Sequence, residues 1–131
     1  MTDSHRIHRL AGSDDFTAIA DAAGPKVVIE LSTAGGSGRK AFFDAVRSAA
    51  PLDPPVTSEL SWDALEDSLW EGLFQLPEDR IVIAWLDASG YEASFPEDHK
   101  VAINVLSSVV DLLADEHATS GRPKDAEVYI A

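Results

Sequence analysis

The sequence predicts an α/β domain, a small three-stranded parallel sheet packed with helices. Three observations predict it. Short apolar runs rich in β-branched residues stand near residues 27–31, 80–86 and 126–130. Successive runs are separated by helix-patterned segments long enough for the crossovers that parallel strands require. Finally, 45% of the 131 residues are hydrophobic, enough for one domain with its own core.

In chain order, residues 1–24 form an N-terminal extension to a domain spanning 25–131. Residues 14–23 suit a short helix behind a Ser13 or Asp14 cap, stopped by Gly24-Pro25. His5 and His8 lack a third ligand at suitable spacing and read as solvated rather than metal-binding. Val27 to Leu31 is bounded by Pro25 and a Gly/Ser-rich stretch, the mark of a buried strand followed by a loop. Gly35, Gly36, Gly38 and Lys40 fit neither the Walker spacing nor the dinucleotide fingerprint, so they read as a plain connection. A helix from about Arg39 to Ala50 buries Phe42, Phe43 and Val46, and the prolines of residues 51–55 end it.

The next helix opens at a Ser61 cap and sets Trp62, Leu65, Leu69, Leu73 and Leu76 along one core-facing stripe. Arg80 to Trp85 is almost wholly apolar, as expected of a central parallel strand covered on both faces. Residues 87–94 read as a loop, and Phe95-Pro96-Glu97-Asp98 opens a helix reaching about His117. Val101, Val105, Leu106, Val109, Val110, Leu112 and Leu113 wrap more than half of that helix, leaving Asn104, Ser107, Ser108, Asp111 and Asp115 as its polar remainder. Residues 119–124 break it, and Ala126 to Ile130 closes as a strand.

Ten Lys+Arg stand against 23 Asp+Glu, a formal net charge of −13. Such a balance disfavours nucleic acid and anionic membrane as partners and suits a basic protein, although solubility alone also accounts for it. Without cysteine there is neither a disulfide framework nor a thiol nucleophile. Met1 to Arg6 lacks the apolar core of a signal peptide, and no run approaches the ~18 apolar residues of a membrane span, so a cytoplasmic address is expected. With no Ser-His-acid grouping, clustered histidine or phosphate loop, neither catalysis, a metal nor a cofactor is expected.

The chemistry-bearing feature lies opposite the leucine stripe. Asp63, Glu66 and Asp67 cluster there, Asp63 and Asp67 one helical turn apart, with Trp70 and Phe74 in the same sector. Like charges at that spacing cost an isolated helix about 0.2–0.5 kcal/mol, while the helix dipole favours Asp63 in the first turn. Exposed carboxylates lack the burial that separates an acid from a base. Edged by large aromatics, they suit a cationic partner instead.

Ser61-Trp62-Asp63-Ala64-Leu65-Glu66-Asp67, with Leu69 after it and then an apolar strand ending in Trp85, resembles the motif of the barstar family, the intracellular protein inhibitors of secreted ribonucleases. That pattern reads roughly Asn-(Leu/Trp)-Asp-Ala-Leu-x-Asp-x-Leu, and the order of elements matches over about residues 25–131. The resemblance implies a barstar-like fold and a stoichiometric inhibitor, or immunity protein, that needs no cofactor and blocks a basic extracellular-type ribonuclease or related toxin. It puts Asp63 and Asp67 at the two motif acids that face the ribonuclease, with Glu66 and Trp70 beside them. Asp111 and Asp115 fall at two acidic positions that relatives carry as glutamate. In relatives these carboxylates imitate the anionic substrate. Thr57, Ser58 and Glu59 stand where the family has aromatic, aromatic and glycine, and Ser61 where it has asparagine, so aromatic contacts from that loop are not expected. An acidic adaptor module that binds a cationic protein surface without inhibiting it is the alternative reading.

Overall fold

The structure is a computed structural model that describes residues 5–11, 14–22 and 24–131. The Ser13 cap and the start of the N-terminus lie outside those residues. Nine elements follow in order: β1 (Ile7–Arg9), α1 (Asp14–Asp21), β2 (Val27–Leu31), α2 (Gly38–Ala49), α3 (Trp62–Phe74), β3 (Arg80–Trp85), α4 (Ala88–Ser94), α5 (Pro96–Ala114) and β4 (Asp125–Ile130).

All strand pairs are parallel, in the order β1-β4-β3-β2, so the sheet has four strands where three were expected. The additional strand is β1, which pairs Ile7, His8 and Arg9 with Val128, Tyr129 and Ile130. Three residues, two of them polar, carry no apolar alternation; pairing along β4, not local pattern, makes them a strand. The segment read as an extension thus supplies an edge strand and a helix.

Crossover handedness sorts the helices. From β2 to β3 to β4 the chain steps in one direction, and right-handed connections put α2, α3 and α5 on the same face. From β1 to β2 it steps the other way, which puts α1 on the opposite face. The two-residue period of β3 divides accordingly. Ile81, Ile83 and Trp85 enter the large core, while Val82 and Ala84 meet Phe16 of α1. All five of these strand residues are buried, which is why the run reads as continuously apolar. On β1 the same alternation sends His8 onto Tyr129, ring centroids 4.8 Å apart, and Ile7 to the large core.

Three helices differ from expectation. Residues 88–94 are the helix α4 rather than a loop, buried through Ala88 and Tyr91 alone. The last long helix stops at Ala114, short of His117, because the Asp115 carboxylate accepts from the N–H groups of His117 (2.7 Å) and Ala118 (3.1 Å) and turns the chain. Likewise α3 ends at Phe74, so Leu76 lies beyond the helix, partly buried at the edge of the core.

The loop after β2 is tied to the end of β3. Asp87 accepts hydrogen bonds from Ser32 Oγ (2.7 Å), from Thr33 N (3.1 Å) and Oγ1 (3.2 Å), and from Ala34 N (3.3 Å). The Trp85 indole N–H donates to Thr33 Oγ1 (3.2 Å). Backbone donors that a phosphate loop would offer a ligand are thereby satisfied by an aspartate of the chain itself. Burial pushes the Asp87 carboxyl up, and the hydrogen bonds from Ser32, Thr33 and Ala34 more than reverse this, leaving it below the usual aspartate value of 3.8. A depressed folded-state value contributes stability that is present above the unfolded value and lost as pH falls through the folded one. Asp87→Asn is therefore expected to lower stability at pH 7 by about 1–2 kcal/mol. Denaturant melts at several pH values check it, and the gap between parent and variant should close below about pH 4.

Candidate functional site

Helix α3 starts as its sequence requires. The Ser61 hydroxyl oxygen accepts from the Ala64 N–H at 3.1 Å, satisfying one of the free donors of the first turn. Leu65, Leu69 and Leu73 are buried against the sheet and α5, and Trp62 packs half-buried on Phe42 and Phe43 with centroid separations of 5.9 and 5.1 Å. Fixing that stripe inward turns the opposite side to solvent. Asp63 and Asp67 are exposed and Glu66 is half-buried.

Glu66 reports the crowding of charge. Its burial, followed by the neighbouring Asp63 and Asp67 carboxylates, holds its pKa above the usual 4.5. No cation among the described residues is paired with this trio, whereas Asp44 on α2 has both Lys40 (2.6 Å) and Arg47 beside it. A positive group from outside would relieve the repulsion and bring the Glu66 pKa down toward its usual value.

The aromatic edge is built by stacking. Trp70 and Phe74, four residues apart, lie with centroids 4.9 Å apart and planes at 15°, and the Arg122 guanidinium covers the Phe74 ring at 6.0 Å. The Trp70 indole nitrogen is buried and has no hydrogen-bond partner among the described residues. Between α3 and the end of α5 runs a cleft of about 400 Å³ lined by Glu66, Asp67, Trp70, Glu71, Leu112 and Ala118. Leu112, expected in the apolar wrap of α5, is instead 42% exposed at this cleft.

The structure thus brings Glu66, Asp67 and Trp70 together around one hollow, with Asp63 a turn away. Asp111 and Asp115 are exposed but do not line it. Asp115 caps the end of α5 rather than standing on its face, and its carboxyl is held below the usual aspartate value by the Ala118 and His117 N–H groups. Glu71, Leu112 and Ala118 escaped the sequence reading because the cleft is made by packing α5 on α3, which no local pattern announces. Leu60, just before the cap, is 88% exposed.

No family model, curated protein or solved structure matches the chain. The site therefore has to be read from its own geometry. Among the described residues no group of three or more histidines, cysteines or acids is arranged to hold a metal ion, and no helix is long and apolar enough to cross a membrane. The arrangement offers exposed carboxylates at one-turn spacing beside a cleft with an apolar floor. Carboxylates so placed can form charge-assisted bonds with a cationic group.

Proposed function

We propose that the chain is a stoichiometric protein inhibitor, an immunity protein of barstar type, that covers the active site of a small basic ribonuclease or related toxin with the acidic face of α3. The observation that carries this reading is the pairing of exposed Asp63 and Asp67 with half-buried Glu66 in a chain of net charge −13. A ribonuclease has to hold a polyanion, so its catalytic cleft gathers Arg and Lys side chains. Carboxylates presented in a row compete there for the place of phosphates, and charge-assisted bonds to Arg are among the stronger polar contacts. Long-range attraction between −13 and a basic enzyme would also speed encounter at low salt.

Asp63 and Asp67 carry the central contacts, Glu66 and Trp70 exclude water beside them, and Asp111 and Asp115 lie toward the rim. No turnover and no cofactor enter this mechanism. The test is RNA cleavage by a small guanyl-specific secreted ribonuclease titrated with the purified protein. Cleavage should stop at a one-to-one ratio. If the protein binds basic proteins but leaves cleavage intact, it is an acidic adaptor instead.

A further inference from the structure

A second site lies at the carboxyl edge of the sheet, and it is independent of the α3 face. The chain leaves β1 toward α1 on one face of the sheet and leaves β3 toward α4 and α5 on the other. Where loops part in this way, parallel sheets form a crevice outside the strand ends, the usual place for a ligand. Here the crevice holds a cavity of about 170 Å³ walled by Leu10 beyond β1, Ala88 beyond β3 and Ile130 at the end of β4. A second hollow of about 350 Å³ shares Arg9, Glu92 and His99 with it and adds Lys100 and Asn104.

Arg9, His99 and Lys100 line the second hollow together with Glu92 and Glu97. Arg9 stands two residues along β1 from Ile7, so strand alternation aims it at the α5 side. His99 is only 5% exposed yet lines both hollows, its ring tilted on Trp85 at 5.6 Å and its Nδ1 3.8 Å from Glu92 Oε2, beyond hydrogen-bond reach. Glu92 Oε2 faces His99, while Arg9, Lys100 and the Asn104 amide supply the donors of this lining. The first hollow is lined mainly by apolar surface and the second by polar and apolar surface about equally.

We propose that this crevice binds a small amphiphilic carboxylate, its carboxylate on Arg9 and Lys100 and its short apolar tail between Leu10, Ala88 and Ile130. The five N–H donors of an arginine allow Arg9 to serve a protein acceptor and such a ligand together. The aliphatic cavity rewards the tail, and its size restricts that tail to a short chain.

Sodium butyrate, titrated into the isotopically labelled full chain and followed by amide chemical shifts, tests it. Saturable shifts are expected around Arg9, Ser89, His99 and Ile130, with butyramide, of the same shape but uncharged, and butylamine both far weaker. Arg9→Gln and Lys100→Gln should each weaken butyrate by about tenfold, the loss of one charge-assisted contact. Lys100 is exposed on α5, so its variant keeps the test decisive should Arg9→Gln fold poorly. Asp67→Ala should leave butyrate binding unchanged, which separates this site from the α3 face. Equal binding of butyramide, shifts that never saturate, or undiminished binding in Lys100→Gln would overturn the proposal.

Discussion

Gly72→Ala is expected to destabilise the protein by about 3 kcal/mol, the upper range for a forced fit in a packed interior. In an open helix the same change would help, since alanine is favoured over glycine by about 1 kcal/mol. Position 72 is not open. A Cβ placed there would lie 2.0 Å from the Pro51 carbonyl oxygen and 2.6 Å from its carbonyl carbon, and these are backbone atoms that cannot swing aside. The same segment is fastened to α3 by the Asp53 N–H donating to Ser68 O (3.1 Å) and by the Gln75 amide donating to Asp53 (2.8 Å). Relief of the clash therefore breaks the docking of residues 51–53. Thermal melts should show a drop of about 10 °C for a chain of this size. Gly90→Ala, with nothing within 4 Å of its added carbon, serves as the control and should be neutral or slightly stabilising. A Gly72→Ala variant as stable as the parent would mean that α3 does not rest on that loop.

What was legible in the sequence follows from how local each cause is. β3 was plain because burial on both faces leaves almost no polar residue in Arg80 to Trp85. The leucine stripe of α3 and its Ser61 cap were equally plain, since helical spacing and capping chemistry are written within one segment. β1 was invisible because its warrant is the edge of β4, more than a hundred residues away. α4 was missed because only Ala88 and Tyr91 of its seven residues are buried, too few to set a period. The end of α5 was overrun because Asp115, read as one more polar helical position, spends its carboxylate on the turn that stops the helix. The site divides along the same line. Asp63, Glu66 and Asp67 share a face by spacing alone, whereas Glu71, Leu112 and Ala118 join them only once α5 has packed on α3. Arg9 and His99, 90 positions apart, meet for the same non-local reason.

The second large effect concerns binding. Asp67→Ala is expected to speed dissociation of the basic partner by at least about tenfold, because truncating one side of a desolvated charge pair costs about 2–5 kcal/mol and acts on the off-rate. Asp67 is favoured over Asp63 by its surroundings. It borders the cleft with Trp70 and Leu112, where a partner can exclude water, while Asp63 sits at the open first turn. Interface energy concentrates in such enclosed positions and falls off toward the wet rim. The family that the chain resembles supplies a standard case of that concentration, so the expectation for Asp67 rests on its place beside the cleft and not on that case. Glu78, away from the cleft, provides the contrast, and Glu78→Gln should do no more than slow association at low salt. Because Asp67 is exposed on the outer side of α3, its removal leaves the buried leucine stripe intact and isolates the contact.

Association and dissociation rates of the parent and of Asp67→Ala, measured against a small basic guanyl-specific ribonuclease as the proposed target, address the acidic face most directly. A dissociation rate raised at least about tenfold, with association little changed, is the predicted result. A variant that dissociates no faster than the parent would contradict it, and α3 would then not be the binding face.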